Sequence, residues 1–188
     1  MNPIKPNPGD RPVQERRTAR VLLTDPEGRV LLFADSDPGV PGYRWWITPG
    51  GGTEPGESDA KAALRELHEE TGLRLHPGKL HGPVATRSVW HGYTDKIVRQ
   101  HETFFAATVP VFELDLSGHT DAERLTMTAH RWWSRDDLAA TDEAIWPRNL
   151  VQLLDLSADP EHPAVLEESE ESSVRVSAAD PSGTPAPD

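Results

Sequence analysis

A glycine-rich segment that leads directly into a helix constrains this chain more than any other feature. Residues 49–56 contain four glycines and two prolines, which leave the backbone free to approach a ligand and stiffen the turn at both ends. Ser58 then offers a helix N-cap, and Gly72 stands where a helix would end. We therefore predict a helix over residues 58–71, immediately after the glycine loop.

Three carboxylates lie on one side of this predicted helix. At about 100° per residue, Glu66 and Glu70 are about 40° apart with Glu69 beside them. Like charges this close repel and raise at least one pKa, and a divalent cation removes that repulsion. Mg²⁺ prefers one or two carboxylates together with water and phosphate oxygens. The alternative is a solvated helix face with an ordinary Arg65–Glu69 ion pair, and the upstream glycine loop disfavours it.

The spacing of the loop and helix residues matches a known motif at every position. It reads Gly51-x5-Glu57-x7-Arg65-Glu66-Leu67-x-Glu69-Glu70-x-Gly72-Leu73. This is the Nudix box, so the chain resembles Nudix hydrolases, most sharply in the box and more loosely over residues 17–154. The resemblance implies hydrolysis of a diphosphate linkage in a nucleoside diphosphate joined to another group, with Mg²⁺ as cofactor and Mn²⁺ as a substitute.

The resemblance also implies roles for individual residues. Four groups match metal ligands of the family: the carboxylates of Glu66, Glu69 and Glu70, and the carbonyl of Gly50. Glu57 and Arg65 match positions that brace the loop against the helix. The expected catalytic residues within the box are Glu57, Arg65, Glu66 and Glu69.

The general base varies across Nudix hydrolases, and two candidates stay open here. Glu66 is the first. Glu102 is the second, because strand alternation places it on one face with Phe104. The alternative for Glu102 is that it only solvates a sheet edge.

Expected substrate contacts lie in and around the glycine loop. Consecutive strand residues face opposite ways, so we expect Trp46 to pack in the core and Trp45 to be free to stack on a base or ring. The complete set of expected substrate-binding residues is Gly51, Gly52, Arg44, Trp45 and Phe104.

The substrate itself has several candidates. Cleavage of a nucleoside triphosphate to a monophosphate and pyrophosphate leads, followed by hydrolysis of dinucleoside polyphosphates, nucleotide sugars or ADP-ribose. Pro83 and Tyr93 do not stand at the offsets that mark ADP-ribose or dinucleoside polyphosphate specialists. A catalytically silent nucleotide-binding module is the alternative of another class. An isomerase on the same fold is disfavoured, because that chemistry resembles one that needs a cysteine and this chain has none.

Composition and charge indicate the limits of the domain and the classes of partner. Residues 1–16 contain four prolines, and residues 155–188 contain nine acids, one arginine and five prolines, so we predict disorder at both ends around a Nudix domain at 17–154. The net charge of −12 argues against stable binding to nucleic acid or an anionic membrane. No signal pattern or long apolar run is present. We expect a soluble, cytoplasmic protein whose partner is a small nucleotide diphosphate, with a homodimer left open.

Hydrophobic periodicity and turn residues predict the remaining elements. We expect an α+β fold, an α/β/α sandwich whose mixed central sheet is flanked by helices. The last helix should contain Pro147 in its first turn. Predicted strands lie near 18–24, 30–34, 44–48, 73–75, 82–90, 96–109 and 128–133, and the last helix near 146–156.

Overall fold

The computed structural model describes residues 11–159 and 162–176, and within these ranges the chain forms ten β-strands and four α-helices. The strands are β1 (Val13–Thr24), β2 (Val30–Ser36), β3 (Arg44–Ile47), β4 (Gly50–Gly52), β5 (His81–Gly92), β6 (Ile97–Thr108), β7 (Ala129–Trp133), β8 (Ala144–Trp146), β9 (Ala164–Val165) and β10 (Ser169–Glu170). The helices are α1 (Asp59–Thr71), α2 (Asp121–Thr126), α3 (Arg135–Ala140) and α4 (Leu150–Leu156). None of these helices has the length and apolar character needed to cross a membrane.

All ten strands belong to one mixed sheet. Its order is β10-β5-β6-β1-β2-β3-β8, and β4, β7 and β9 pair off this path with β1, β2 and β5. The central strands β1 and β6 run parallel, from Val13 opposite Ile97 to Thr24 opposite Thr108. On either side, β5 pairs antiparallel with β6, and β2 pairs antiparallel with β3. The predicted mixed sheet of an α+β fold is confirmed.

Alternation along the strands sends apolar side chains to both faces of the sheet. In β1, Val21 and Leu23 join the core cluster of Leu67 from α1, whereas Leu22 joins that of Leu153 from α4 on the other face. Each fully buried leucine contributes about 1.5–3 kcal/mol. Helices therefore cover both faces, as the sandwich prediction requires, and α1 is fixed against one of them.

Helix α1 begins and ends where the sequence predicts. The side chain of Ser58 accepts a hydrogen bond from the N–H of Lys61, which caps the first turn. Gly72 takes the left-handed conformation, with φ of 74°, and its N–H donates to the carbonyl of His68. These two caps set the phase of the helix, and hence the side on which its carboxylates lie.

Two predicted elements were wrong. Residues 73–75 form no strand, and the chain there leads instead into a 3₁₀ turn at Pro77–Lys79. The last helix begins at Leu150, because Trp146 pairs in parallel with Ile47 as part of β8 and so leaves Pro147 outside the helix. A backbone that is paired in a sheet cannot also continue a helix, and tertiary pairing outweighs the local propensity here.

The predicted disorder at the ends does not hold where the structure describes them. Strand β1 already begins at Val13, and α4 extends to Leu156. Residues 162–176, which we call the C-terminal strap, run along the edge strand β5, where β9 and β10 pair with it in parallel. Val176 packs there against Trp90 and Ile97. The strap is ordered because it covers an otherwise unpaired sheet edge; residues 1–10, 160–161 and 177–188 lie outside the described ranges.

Candidate active site

The glycine loop docks against β1 at a distance that excludes side chains. Gly50 has φ of 134°, and a Cβ atom there would lie 2.2 Å from the carbonyl oxygen of Ala19. A Cβ atom on Gly51 would lie 2.5 Å from the carboxylate of Glu66. Glycine at position 50 therefore lets β4 pair closely with β1, and glycine at position 51 leaves room for the carboxylate of Glu66.

An arginine braces the loop to the helix. The Arg65 guanidinium donates two hydrogen bonds to Glu57, at 3.1 and 2.9 Å, and one to the carbonyl of Gly52 at 2.8 Å. It also contacts Glu66 at 2.9 Å and Glu69 at 3.0 Å. The hydrogen bond to Glu57 raises the pKa of Arg65 further, so the brace stays charged. Glu57 and Arg65 occupy the bracing positions that the box implies.

Three carboxylates converge beside this loop. One oxygen each from Glu66, Glu70 and Glu123 lies within 4.8 Å of the other two. Glu70 is 5% exposed and accepts a hydrogen bond from the N–H of Gly50 at 2.8 Å. Burial nevertheless raises the pKa of Glu70 well above its usual range, against the Gly50 hydrogen bond, and the charge of Glu66 adds to the rise. Burial also raises the pKa of Glu66 despite its contact with Arg65.

Nothing in the sequence indicated that Glu123 would lie in this cluster. Its place there depends on the packing of the segment before α2 against α1. His119 lies against α1, with its Nε2 2.9 Å from the carbonyl oxygen of Glu70. A Cβ atom on Gly118 would lie 2.3 Å from the carbonyl oxygen of Glu69, so this connection packs tightly on α1. Helix α2 follows at once, with Thr120 and Glu123 forming a capping box. The capping box is readable in the sequence, but the contact with α1 is not.

Glu69 and the carbonyl of Gly50, two further expected metal ligands, each contact an arginine. The side chain of Glu69 is 47% exposed and pairs with Arg65, and Glu69 is not part of the three-carboxylate cluster. The carbonyl of Gly50 receives a long contact of 3.4 Å from Arg20, whose shorter hydrogen bond, 2.9 Å, goes to the carbonyl of Thr48.

The donor set fits a divalent cation. Carboxylate oxygens are the ligands that Mg²⁺ prefers, and three of them converge here. A cation held between them would offset both the burial of Glu70 and its repulsion from Glu66. The cluster therefore suits the ion that the box implies, and it contains Glu123 in addition to Glu66 and Glu70.

The structure contradicts the expected role of Glu102. Alternation does place it on the face of Phe104, but that face is interior, and Glu102 is 2% exposed. Its carboxylate accepts hydrogen bonds from Arg20 at 2.7 Å, Arg87 at 2.6 Å and Gln100 at 2.8 Å. Burial alone would raise the pKa of Glu102, but the charges of Arg87 and Arg20 outweigh it and hold the pKa below its usual range. Such a carboxylate is a weak base, and it does not solvate an edge either.

A cavity of about 510 Å³ has walls on β1, against which the glycine loop pairs, and on α2, which carries Glu123. Thr126, at the end of the helix that carries Glu123, is one of its walls. Arg16 is another, and its guanidinium lies 3.4 Å from the position of a Cβ on Gly52. Gln100 also lines the cavity, is 4% exposed, and uses its Nε2 for Glu102, which leaves its amide oxygen without a partner in the described part of the chain.

Of the substrate contacts predicted outside the loop, the two aromatic side chains are buried and the arginine is exposed. Phe104 is fully buried in the core cluster of α4. Trp45 lines the cavity but is 1% exposed, because its ring stacks on Trp146 at 4.1 Å. Arg44 points elsewhere and pairs with Glu143 at 2.8 Å. Trp46 packs in the core, as predicted.

Curated relatives match this chain over part of their length. An RNA pyrophosphohydrolase from Erythrobacter litoralis (strain HTCC2594) is 43% identical over 58 residues, which cover 31% of this chain and 34% of the relative. The human diphosphoinositol polyphosphate phosphohydrolase 3-alpha is 51% identical over 69 residues, covering 37% of this chain and 40% of the relative. The chain thus spans less than half the length of these curated relatives.

Solved structures show the same fold at low identity. The MutT protein from Methanosarcina mazei Go1 superposes with a TM-score of 0.55 at 23% identity, covering 80% of this chain and 98% of that protein. The MutT protein from Bacillus halodurans gives 0.56 at 19% identity, covering 84% and 91%. The NUDIX domain family itself matches residues 14–154, which include the glycine loop, the box helix and the carboxylate cluster. The chain therefore belongs to the Nudix family.

Proposed function

We propose that this protein hydrolyses a diphosphate linkage in a nucleoside diphosphate joined to another group, with a divalent cation as cofactor. The observation that carries the proposal is the convergence of Glu66, Glu70 and Glu123 beside a loop that needs glycine at position 50. Decayed sites lose such charges first, because burying them is unfavourable without a ligand. Membership of the family and the complete box support the same reaction.

The chain's own groups divide the work of the reaction. Glu66, Glu70 and Glu123 would hold the cation, and Arg65 with Glu57 would keep the loop backbone against it. When bound, Mg²⁺ neutralises diphosphate oxygens and makes water a stronger nucleophile. Water adds to one phosphorus, the bridging P–O bond breaks, and one proton passes to a base. With Glu102 held between two arginines, we assign the base to Glu66 or Glu123.

The cavity supports a nucleoside as the group next to the diphosphate. A volume of about 510 Å³ falls in the range of small-ligand pockets and suits one nucleoside. Its charged wall residues are nearly balanced: Arg16 and Lys96 against Asp35, Asp37 and Asp95. A ring carrying many phosphates would need a clear excess of cations. We therefore propose a nucleoside triphosphate as the leading substrate, cleaved to the monophosphate and pyrophosphate, ahead of diphosphoinositol polyphosphates.

Product identification tests this function directly. The purified full chain is incubated with nucleoside triphosphates, dinucleoside polyphosphates, nucleotide sugars, ADP-ribose and diphosphoinositol polyphosphates, with Mg²⁺ or with a chelator. Reaction in ¹⁸O-labelled water then shows by mass spectrometry which phosphorus was attacked. We expect a Mg²⁺-dependent nucleoside monophosphate from one class. Cation binding without turnover of any substrate would select the silent binding module instead.

A further inference from the structure

A chain of buried ion pairs connects the C-terminal strap to the centre of the sheet. Glu171 of the strap accepts two hydrogen bonds from Arg87, both at 2.8 Å. Arg87 donates through its Nε to Glu102 at 2.6 Å, and Glu102 accepts from Arg20 at 2.7 Å. The exposed fractions of these four side chains lie between 1% and 8%. Water therefore screens this chain of charges only weakly.

The same chain continues to the metal-site loop. Arg20 donates to the carbonyl of Thr48 at 2.9 Å and contacts the carbonyl of Gly50 at 3.4 Å. The N–H of Gly50 in turn donates to Glu70 at 2.8 Å. The carbonyl of Gly50 thus contacts Arg20 of the buried ion pairs, and its N–H contacts Glu70 of the carboxylate cluster.

The charges along this chain balance. Glu171 and Glu102 are acidic, Arg87 and Arg20 are basic, and each acid lies against at least one arginine. Backbone groups outside the strap fix Glu171 further: its carboxylate accepts from the N–H of Arg148 at 2.7 Å, and its own N–H donates to the carbonyl of Trp90 at 2.9 Å. Without the charge of Glu171, the remaining three buried groups would carry a net positive charge next to the proposed cation site.

We propose that Glu171 is a positioning residue for the metal site, acting through Arg87, Glu102 and Arg20 on the Gly50 loop. This inference rests on the proposed function, because it takes the carboxylate cluster to be a cation site. It assigns the strap a part in cation affinity in addition to covering the edge of β5. A purely structural strap would lower stability when changed, without a specific change in cation binding.

Calorimetric titration of the full-length protein with Mg²⁺, and with Mn²⁺ in parallel, tests the proposal without any substrate. Glu171→Gln keeps the size of the side chain and removes its charge. We expect the dissociation constant to rise between about 2- and 30-fold, the range for changes along a coupled network. Glu167→Gln is the matched control, because Glu167 is an exposed acid of the same strap, and we expect no change there.

A second variant separates charge from packing. The double variant Arg87→Gln with Glu171→Gln removes one charge of each sign and leaves Glu102 balanced by Arg20. We expect it to return the dissociation constant to within about twofold of the wild-type value, even though it loses two more hydrogen bonds. Its charge balance also makes it the variant to titrate if Glu171→Gln alone is too unstable.

The outcomes are distinct. Equal cation affinity in wild type and Glu171→Gln, or a double variant weaker than the single one, overturns the positioning role and leaves the proposed function intact. Cation binding by the wild type without turnover overturns the proposed hydrolysis, while the titrations still decide the role of Glu171. Absence of cation binding by the folded wild type overturns both.

Discussion

Replacing Glu70 by glutamine should change stability in opposite directions with and without the cation. Glu70 and Glu66 oxygens lie within 4.8 Å of each other. At an effective dielectric constant of about 20, two unit charges at that separation repel by about 3.5 kcal/mol. Proton uptake relieves part of this, because burial raises the pKa of Glu70. We therefore expect Glu70→Gln to raise the unfolding free energy by about 1–3 kcal/mol in a chelator at pH 8.

With the cation bound, we expect the wild type to be more stable than Glu70→Gln. At about 100 times its dissociation constant, Mg²⁺ stabilises the wild type by about 2.7 kcal/mol, or roughly 5–10 °C in Tm. Glu70→Gln should lose most of this shift and about 100-fold in rate, because the amide removes a charge that the ion needs. Its oxygen can still accept from the N–H of Gly50, so the loop is kept.

Thermal unfolding with Mg²⁺ and with a chelator measures both effects on the same samples. Glu113→Gln is the control, because Glu113 is an exposed acid that is not part of the cluster. A Glu70→Gln protein that is less stable than wild type in the chelator would refute the claim that the charge of Glu70 is unfavourable in the cation-free fold. An undiminished Mg²⁺ shift would refute its role as a ligand.

Three further predictions follow from the same geometry. Glu123→Gln keeps an acceptor for the capping box and removes a like charge from the cluster, so Tm in a chelator should not fall. Mg²⁺ should bind about tenfold more weakly by calorimetry, and equal affinity would remove Glu123 from the site. Glu102→Gln leaves two buried arginines short of an acid, and urea unfolding should show a loss of about 3–5 kcal/mol; a loss below about 1 kcal/mol would contradict the buried network. Because burial raises the pKa of Glu70 and Glu66 in the cation-free fold, the folded chain binds more protons than the unfolded chain above the usual carboxylate pKa. As pH increases from the usual carboxylate pKa to the raised values, the cation-free stability should therefore fall and the Mg²⁺ affinity should rise. A Mg²⁺ affinity that calorimetry finds constant from pH 5 to 8 would count against this prediction.

The sequence was most informative where structure is local. The caps Ser58 and Gly72 act within one turn of the helix, so the bounds of α1 could be predicted almost to the residue. The need for glycine at the loop and the brace between Glu57 and Arg65 also depend on short spacings in one motif. Fold class followed from the same kind of pattern.

The errors concern contacts between distant parts of the chain. Glu123 reaches the cluster because the segment before α2 packs on α1, and no spacing in the sequence encodes that distance. Alternation gave the correct face for Glu102 but not its burial, which depends on arginines in two other strands. The acidic composition of the strap indicated disorder, although one of its acids, Glu171, is fully buried against Arg87.

The position of Glu171 late in the chain has a consequence for synthesis on the ribosome. Strands β1, β5 and β6 are all made by residue 108, and they bring Arg20, Arg87 and Glu102 together as soon as they pair. Until residue 171 emerges, this nascent sheet holds two arginines and one acid in its interior. A growing chain should therefore stay loosely folded and open to proteases or chaperones until the strap is made. The last step of folding would then wait for synthesis of the strap rather than follow from pairing of the sheet alone.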